Sequence, residues 1–435
     1  MHLRIFLSII GLASFLFLSA QQDTTESEIK KGWNVGILPV VSFDSDLGFK
    51  YGGLTNIYDY GDGSLYPEYK HSIYLEISRT TKGSGINQLF YDSKKLFSGR
   101  EIRVTADISY LTEKALDFYG FNGYESVYDP DMENKNSSTR MFYRLERQLL
   151  RTTLDVQFPI NKKFRALLGA GHFNVAVDDV DINALNKDLE ASRQLSDTSL
   201  YQHYIDKGWI DAREKDGGTV NYFKGGLIYD TRDNEPNPMN GMFTEAILFA
   251  APSWFGTKEH PYTKLALTHR QYFTLVPKKL SLVYRINYQS TIAGKAPFYM
   301  ESPMILSFSP NVSNEALGGA KTLRGVLRQR IVGEGYVFAN FETRWKFVRF
   351  RLINQNFYLA LSGFYDVGQT TRKRETGNAD ESIYLSEDKE SLHHSLGAGF
   401  HAAMNENFIL AVDYGRALDK RDGKQGIYIG MNWLF

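Results

Sequence analysis

Gly426-Ile427-Tyr428-Ile429-Gly430-Met431-Asn432-Trp433-Leu434-Phe435 closes the chain, and its alternation decides the fold. Successive side chains of a strand point to opposite faces, so Ile427, Ile429, Met431, Trp433 and Phe435 share one face and Tyr428, Gly430, Asn432 and Leu434 the other. A wholly apolar face opposite a mixed one predicts a strand with lipid on one side and a polar lumen on the other, ending at Phe435. The stretch 334–350 repeats the pattern. Val337, Ala339, Phe341, Thr343, Trp345 and Phe347 face out, while Asn340, Glu342, Arg344 and Lys346 face in. A soluble sandwich would alternate too, but its strands need be neither so long nor closed by an aromatic terminus.

Working outward, period-2 segments bounded by turns recur along the chain, and about sixteen can be placed. The clearest nine are 219–232, 242–252, 262–276, 279–293, 334–350, 356–368, 391–404, 408–418 and 426–435. Seven more precede them at 33–43, 47–60, 70–82, 86–95, 101–114, 139–158 and 163–177. The fold class is therefore all-β: a transmembrane antiparallel barrel. With sixteen strands, the long connectors 115–138, 178–218, 294–333 and 369–390 all fall on one rim. Short connectors such as Pro277-Lys278 and Asn405-Glu406-Asn407 fall on the other, as outer-membrane barrels require. Both termini then lie on the short-turn, periplasmic side. The segment 178–218 is expected to hold one short helix.

Composition agrees. The formal net charge of +0 excludes the basic footprint of a nucleic-acid partner. Aromatics make up 14% of the 435 residues, with 27 Tyr and 29 Phe, which suits the water–lipid interfaces of a barrel. Cysteine is absent, which rules out disulfides, thiolate chemistry and a lipid anchor on cysteine. At the N-terminus, His2 and Arg4 precede the apolar run 5–18, and Ser19-Ala20 leads into a polar stretch. Residues 1–20 are expected to be a signal peptide, 21–32 a short periplasmic segment and 33–435 the barrel. No later run is long and apolar enough for a membrane helix.

Three motifs stand out. Gly318-Gly319-Ala320-Lys321-Thr322-Leu323-Arg324-Gly325-Val326 sits in a connector too long for a surface cap, and a fold back into the lumen is expected. An arginine entering a low-dielectric lumen needs a carboxylate, and Glu342 and Asp366 point inward on the next two strands. Tyr229-Asp230-Thr231-Arg232-Asp233 runs into the Pro-containing turn that ends at Gly241, with Asp230 and Arg232 on one face. The third motif is Trp433-Leu434-Phe435 itself.

At these residues the chain resembles the barrel domain of the BamA/TamA-type outer-membrane superfamily, also called the bacterial surface antigen family. Leu323-Arg324-Gly325-Val326 is similar to the family's inserted-loop motif, with Val326 where an aromatic is usual. Phe364-Tyr365-Asp366-Val367-Gly368 is similar to the strand that receives the arginine, and Asp230, Arg232, Asp233 and Gly241 to the family's strand–turn motif. The resemblance implies a sixteen-stranded barrel with an inserted loop. It implies a part in inserting, assembling or translocating outer-membrane proteins or lipids together with outer-membrane or periplasmic protein partners. One departure is that about a dozen residues, 21–32, precede the first strand, too few for a POTRA domain.

Catalytic and metal motifs are missing. There is no G-x-S-x-G elbow, H-E-x-x-H, P-loop or Rossmann fingerprint, so neither an enzyme nor a cofactor is expected. His393 and His394 are adjacent in a strand and point to opposite faces, so they cannot chelate together. Asp178, Asp179 and Asp181 lack calcium-loop spacing. Arg372-Lys373-Arg374 reads as a solvated loop, with contact to lipopolysaccharide phosphates as its functional alternative. The expected location is the outer membrane of a Gram-negative-type bacterium, among its lipids and lipopolysaccharide. Trp433 and Phe435 would serve as the signal by which the cell's assembly machinery inserts this barrel as a client. Two other readings stay open: a surface-exposed binding or structural barrel within a complex, and a plugged diffusion channel.

Overall fold

Alternation along each strand lets one continuous sheet put apolar side chains outward and charged ones inward, so the sheet can close on itself and pair most of its backbone groups. The computed structural model describes residues 31–45, 47–64, 69–96, 101–187, 189–257, 259–310, 316–352, 355–404 and 408–435. The expected signal peptide, most of the segment 21–32 and parts of several short connectors lie outside the described residues.

Sixteen strands form one closed antiparallel barrel, each paired with its sequence neighbours and β1 meeting β16. They are β1 (Trp33–Asp44), β2 (Gly48–Asp59), β3 (His71–Thr80), β4 (Gly85–Ser93), β5 (Arg103–Asp117), β6 (Arg144–Pro159), β7 (Phe164–Asp179) and β8 (Gly217–Asp230). There follow β9 (Gly241–Ala251), β10 (Tyr262–Val276), β11 (Leu280–Gly294), β12 (Gly335–Leu352), β13 (Gln355–Arg372), β14 (His393–Met404), β15 (Phe408–Ala417) and β16 (Gln425–Met431). Connectors after odd-numbered strands lie on one rim and include all the long ones, and those after even-numbered strands lie on the other. In β12, Phe341, Trp345 and Phe347 are exposed while Asn340, Glu342, Arg344 and Lys346 are buried in the lumen.

Two departures from the expected strands have clear causes. Residues 139–143 belong to a turn rather than to β6, because Phe142 and Tyr143 are buried among other aromatics. The connector between β7 and β8 holds two short helices rather than one, α1 (Ile182–Asn186) and α2 (Leu200–Asp206). The side chains of Asp181 and Ser199 cap them by accepting from the Ala184 and Gln202 N–H groups.

The long connectors pack into a cap over their rim. Phe118 meets Phe121 and Tyr204 edge-on at centroid distances of 5.5 and 5.4 Å, and Trp209 meets Tyr204 at 4.9 Å. Much of the aromatic content that suited a lipid interface is therefore the core of this cap. Arg374 corrects the solvated-loop reading. It is 2% exposed and ion-paired with Glu214 and, at 2.6 Å, with Glu301, which joins three connectors. Its neighbours pair nearby, Arg372 with Glu334 at 2.6 Å and Lys373 with Glu125. Removing Arg374 strands two buried carboxylates, which costs about 3–5 kcal/mol. Arg374→Met is expected to open the cap to protease while Arg374→Met with Glu214→Gln and Glu301→Gln stays resistant; equal digestion of all three proteins would refute the clamp.

His393, the first residue of β14, makes a second fastener. Its Nδ1 lies 2.6 Å from Asp422 and its Nε2 3.2 Å from Glu390, and its ring stacks on Tyr124 at 3.9 Å. His394 faces the other side of the strand, against Tyr365.

Candidate functional site: a lumen arm, a turn and a tail beside an open seam

The described parts of the connector 295–334 enter the lumen, and glycine backbone makes the entry possible. Gly318, Gly319 and Gly325 have φ of 112°, 84° and 94°, a region that disfavours side chains. A Cβ on Gly325 would lie 2.4 Å from the backbone of Gly415 and Arg416 in β15, so only glycine allows the arm to lie against that strand. Thr322 Oγ1 donates to the Ala316 carbonyl at 2.9 Å and accepts from Gly318 N–H at 2.9 Å, closing the loop on itself. Leu323 and Val326 are buried with Leu317, Ile331, Tyr336 and Phe338, so Val326 packs where the resemblance implied an aromatic.

Arg324 then projects into a set of carboxylates. Its Nε and Nη2 donate to the two oxygens of Asp366 at 3.0 and 3.1 Å, and its own backbone N–H donates to Asp366 at 3.1 Å. Nη1 donates to Glu342 at 3.2 Å and to Asp413 at 3.4 Å, and the guanidinium lies 3.3 Å from the Phe364 ring centroid. Around this centre, Asn340 donates to Asp366 at 2.8 Å and Arg344 to Glu342 at 2.8 Å. Gly325 N–H donates to the Tyr428 hydroxyl of β16 at 3.0 Å. The arm is thus tied to β12, β13, β15 and β16, the strands leading to the barrel seam. Sequence reasoning had Glu342 and Asp366 but missed Asp413 and Tyr428. Their inward parity on β15 and β16 was the available signal.

The first part of the same connector also lies inside, and what the sequence left open was which wall side chains hold it. Its backbone carbonyls accept from wall side chains: Leu306 from Lys224 at 2.9 Å, Ser307 from Gln157 at 3.2 Å and Pro310 from Gln88 at 2.7 Å.

The strand–turn motif forms a bar across the short-turn end. Arg232 pairs with Asp230 at 2.7 Å, and Asp233 accepts from Met239 N–H at 3.0 Å. Gly241 has φ 97°, and a Cβ there would meet the Thr231 carbonyl at 2.2 Å. Glu235 reaches Arg103 on β5 at 3.0 Å, while Asn237 accepts from Lys346 on β12 at 3.1 Å. Strands β5 and β12 stand on nearly opposite walls of the sixteen-strand barrel.

The C-terminus overturns one expectation. β16 stops at Met431, and Asn432 at φ 68° turns the chain inward, so Trp433 and Phe435 do not face lipid. They are 5% and 9% exposed, within the lumen. Trp433 stacks on His401 at 3.8 Å and donates from Nε1 to Asn237 at 3.1 Å. Arg344 lies 4.5 Å from the Trp433 ring and donates to a Phe435 carboxylate oxygen at 3.0 Å. Trp433→Ala removes the stack and the bond to the turn, and is expected to make the last three residues a carboxypeptidase substrate in the folded barrel. Trimming that mass spectrometry finds equal in wild type and variant would show that Trp433 does not hold the tail.

With the tail turned in, the seam is short. β1 and β16 share only the pairs Phe43↔Ile429 and Asp44↔Tyr428 among the described residues, at the long-loop end. Ser45 adds three bonds: its N–H and its Oγ donate to the Ile427 carbonyl at 3.1 and 3.2 Å, and its Oγ accepts from Ile427 N–H at 2.8 Å. The β1–β2 ladder, by contrast, runs from Trp33↔Asp59 to Asp44↔Gly48. From Trp33 to about Ser42, β1 presents an edge with no partner on β16. Pro39 lies in it, as edge strands tolerate.

The Omp85 superfamily domain matches residues 70–435. The barrel is similar to BamA from Haemophilus ducreyi lacking POTRA domains 1–3, at TM-score 0.55 and 15% identity over 93% of this chain and 71% of that one. It is similar to CdiB from Escherichia coli at TM-score 0.55 and 10% identity, over 95% of this chain and 64% of that one. These identities speak to the fold alone. No curated protein matches the chain by sequence. The matched span takes in arm, turn, tail and every strand from β3 onward, and the chain accordingly belongs to the Omp85 superfamily, whose barrels serve outer-membrane protein insertion and translocation.

Proposed function

We propose that this barrel takes part in the insertion, assembly or translocation of outer-membrane proteins with partner proteins, and that the open seam is where a client strand engages. The seam is the observation that carries the reading. A barrel normally leaves no free edge, since backbone groups unpaired in lipid cost several kcal/mol each. Here β1 keeps about ten residues of edge without a β16 partner, beside outward side chains as exposed as Val35 (63%) and Ile37 (76%). An extended client strand can add to that edge through main-chain bonds, the physics of strand addition. The arm bears on the same place, because Gly325 bonds the hydroxyl of Tyr428, itself paired with Asp44 across the seam. In this reading the short-turn end, where β1 begins at Trp33 and the tail 432–435 lies, faces the periplasm, where an unfolded client arrives. Trp433 and Phe435 act as this chain's own insertion signal while the chain is still extended, and turn into the lumen once the barrel closes.

Reconstitution tests the reading. Liposomes carrying this protein are expected to fold an added, urea-unfolded outer-membrane barrel faster than protein-free liposomes, scored by heat-modifiable gel migration. Equal folding in both, with the partner proteins that co-purify also added, would refute an insertion role.

A further inference from the structure

Between the bar formed by the β8–β9 turn and the lumen walls lies a cavity of about 290 Å³ at the short-turn end, room for many waters. It is lined by six cations, and four of them are balanced. Arg103 pairs with Asp92 at 2.9 Å and Glu235 at 3.0 Å, Lys94 with Glu235 at 3.1 Å, Lys95 with Glu101 at 3.7 Å and Arg232 with Asp230 at 2.7 Å. Arg165 on β7 and Arg270 on β10 have no carboxylate partner among the described residues, and Arg270 Nε is buried with no acceptor at all.

A second observation points the same way. Arg270 stands directly opposite Arg285 in the β10–β11 register. Arg285 is 5% exposed and also lacks a carboxylate among the described residues, donating instead to Asn340 Oδ1 and the Lys321 carbonyl, each at 2.8 Å. Like charges directly opposite in a ladder repel, and a low-dielectric lumen magnifies the repulsion unless an anion lies nearby. The Phe435 main-chain oxygen at the end of the tail accepts from Arg344 rather than from Arg270 or Arg285. The cavity also offers one acceptor without a donor. Glu245 takes the Ser307 N–H on Oε2 at 3.1 Å, while its Oε1 is buried and unpartnered.

We propose that this vestibule binds a phosphate-bearing anion that also carries a hydroxyl or ammonium donor, with the phosphate on Arg270 and Arg165 and the donor directed to Glu245. Guanidinium forks match phosphate oxygens at two points, which the single buried Nε now lacks. The size fits a headgroup rather than a bare ion. Two sources share this chemistry: a phospholipid headgroup entering from the membrane rim, and a free phosphate ester from the aqueous side. The site stands independently of the insertion reading.

Glycerol phosphate is the soluble probe, titrated into the purified barrel in non-ionic detergent by calorimetry. Nanodiscs of phosphatidylglycerol or of phosphatidylcholine give the lipid arm, read as thermal stabilisation. Arg270→Gln and Arg165→Gln are the test variants, and Arg349→Gln, on the rim outside the cavity, is the control. Losing a charge-assisted contact is expected to weaken binding about tenfold or more, with the control unchanged. Both test variants are expected to show wild-type heat-modifiable migration, because neither residue has an ion pair to lose. Stabilisation by phosphatidylglycerol that Arg270→Gln abolishes, without soluble binding, supports the site and assigns it to lipid. Absence of both responses in wild type, or equal binding by wild type and Arg270→Gln, overturns it.

Discussion

Arg324→Ala is expected to free the lumen arm, lower the unfolding temperature sharply and raise single-channel conductance. The guanidinium holds Asp366 at two points and reaches Glu342 and Asp413, all within the lumen. Truncation leaves three carboxylates with Arg344 as the nearest remaining ion-pair partner, held to Glu342 at 2.8 Å. Breaking one partner out of a buried set costs about 3–5 kcal/mol, mostly as stranded charge. Arg324→Lys keeps the charge but gives up the two-point fork, so it is expected to fall between wild type and alanine. Adding Asp366→Asn to Arg324→Ala removes one stranded charge and is expected to recover stability without restoring the arm. The conductance then stays high while the unfolding temperature rises. Unchanged conductance and unfolding temperature in Arg324→Ala would mean that the arm is held by its apolar contacts instead.

The second large effect concerns the seam. Phe43 and Ile429 face each other across it, and the chain has 0 native cysteines, so Phe43→Cys with Ile429→Cys introduces one defined pair. Directly opposed antiparallel positions have the separation that a disulfide bridges. Oxidation is expected to reduce client folding in the liposome assay to the protein-free rate, and reductant to restore it. Each single-cysteine variant is expected to work under both conditions. The effect is nearly all-or-none because, among the described residues, only two ladder pairs and the Ser45 bonds close the seam, so one covalent link replaces most of what must part.

Much of this was legible in the sequence, and the exceptions have physical reasons. Strand placement follows from alternation, which a membrane barrel enforces on every strand; the stretch 262–276 coincides with β10. Arg324 and two of its partners, Glu342 and Asp366, were legible because a charge in the lumen must be neutralised, which restricts the candidates to inward carboxylates; Asp413, on a later strand, was not found. The tail was not legible. Its alternation continues unbroken through Asn432, and Trp433 and Phe435 suit a lipid face and an arginine-lined lumen equally well. Only the left-handed backbone at Asn432 separates the two outcomes. The cap was hidden for a similar reason. The high aromatic content reads as interface aromatics by composition, but Tyr119, Phe121, Tyr143 and Tyr204 are buried between connectors whose meeting depends on contacts far apart in sequence.

The most direct test of the seam as the client's point of entry places a photo-crosslinking amino acid in turn at Val35, Ile37 and Val41 along the unpartnered edge of β1, and at Leu248 on β9 across the barrel. A client barrel stalled during folding is expected to crosslink from the β1 positions, through its own terminal strand, and not from Leu248. Crosslinks of equal yield from β1 and β9, or none from β1 while the client still folds, would contradict entry through the seam.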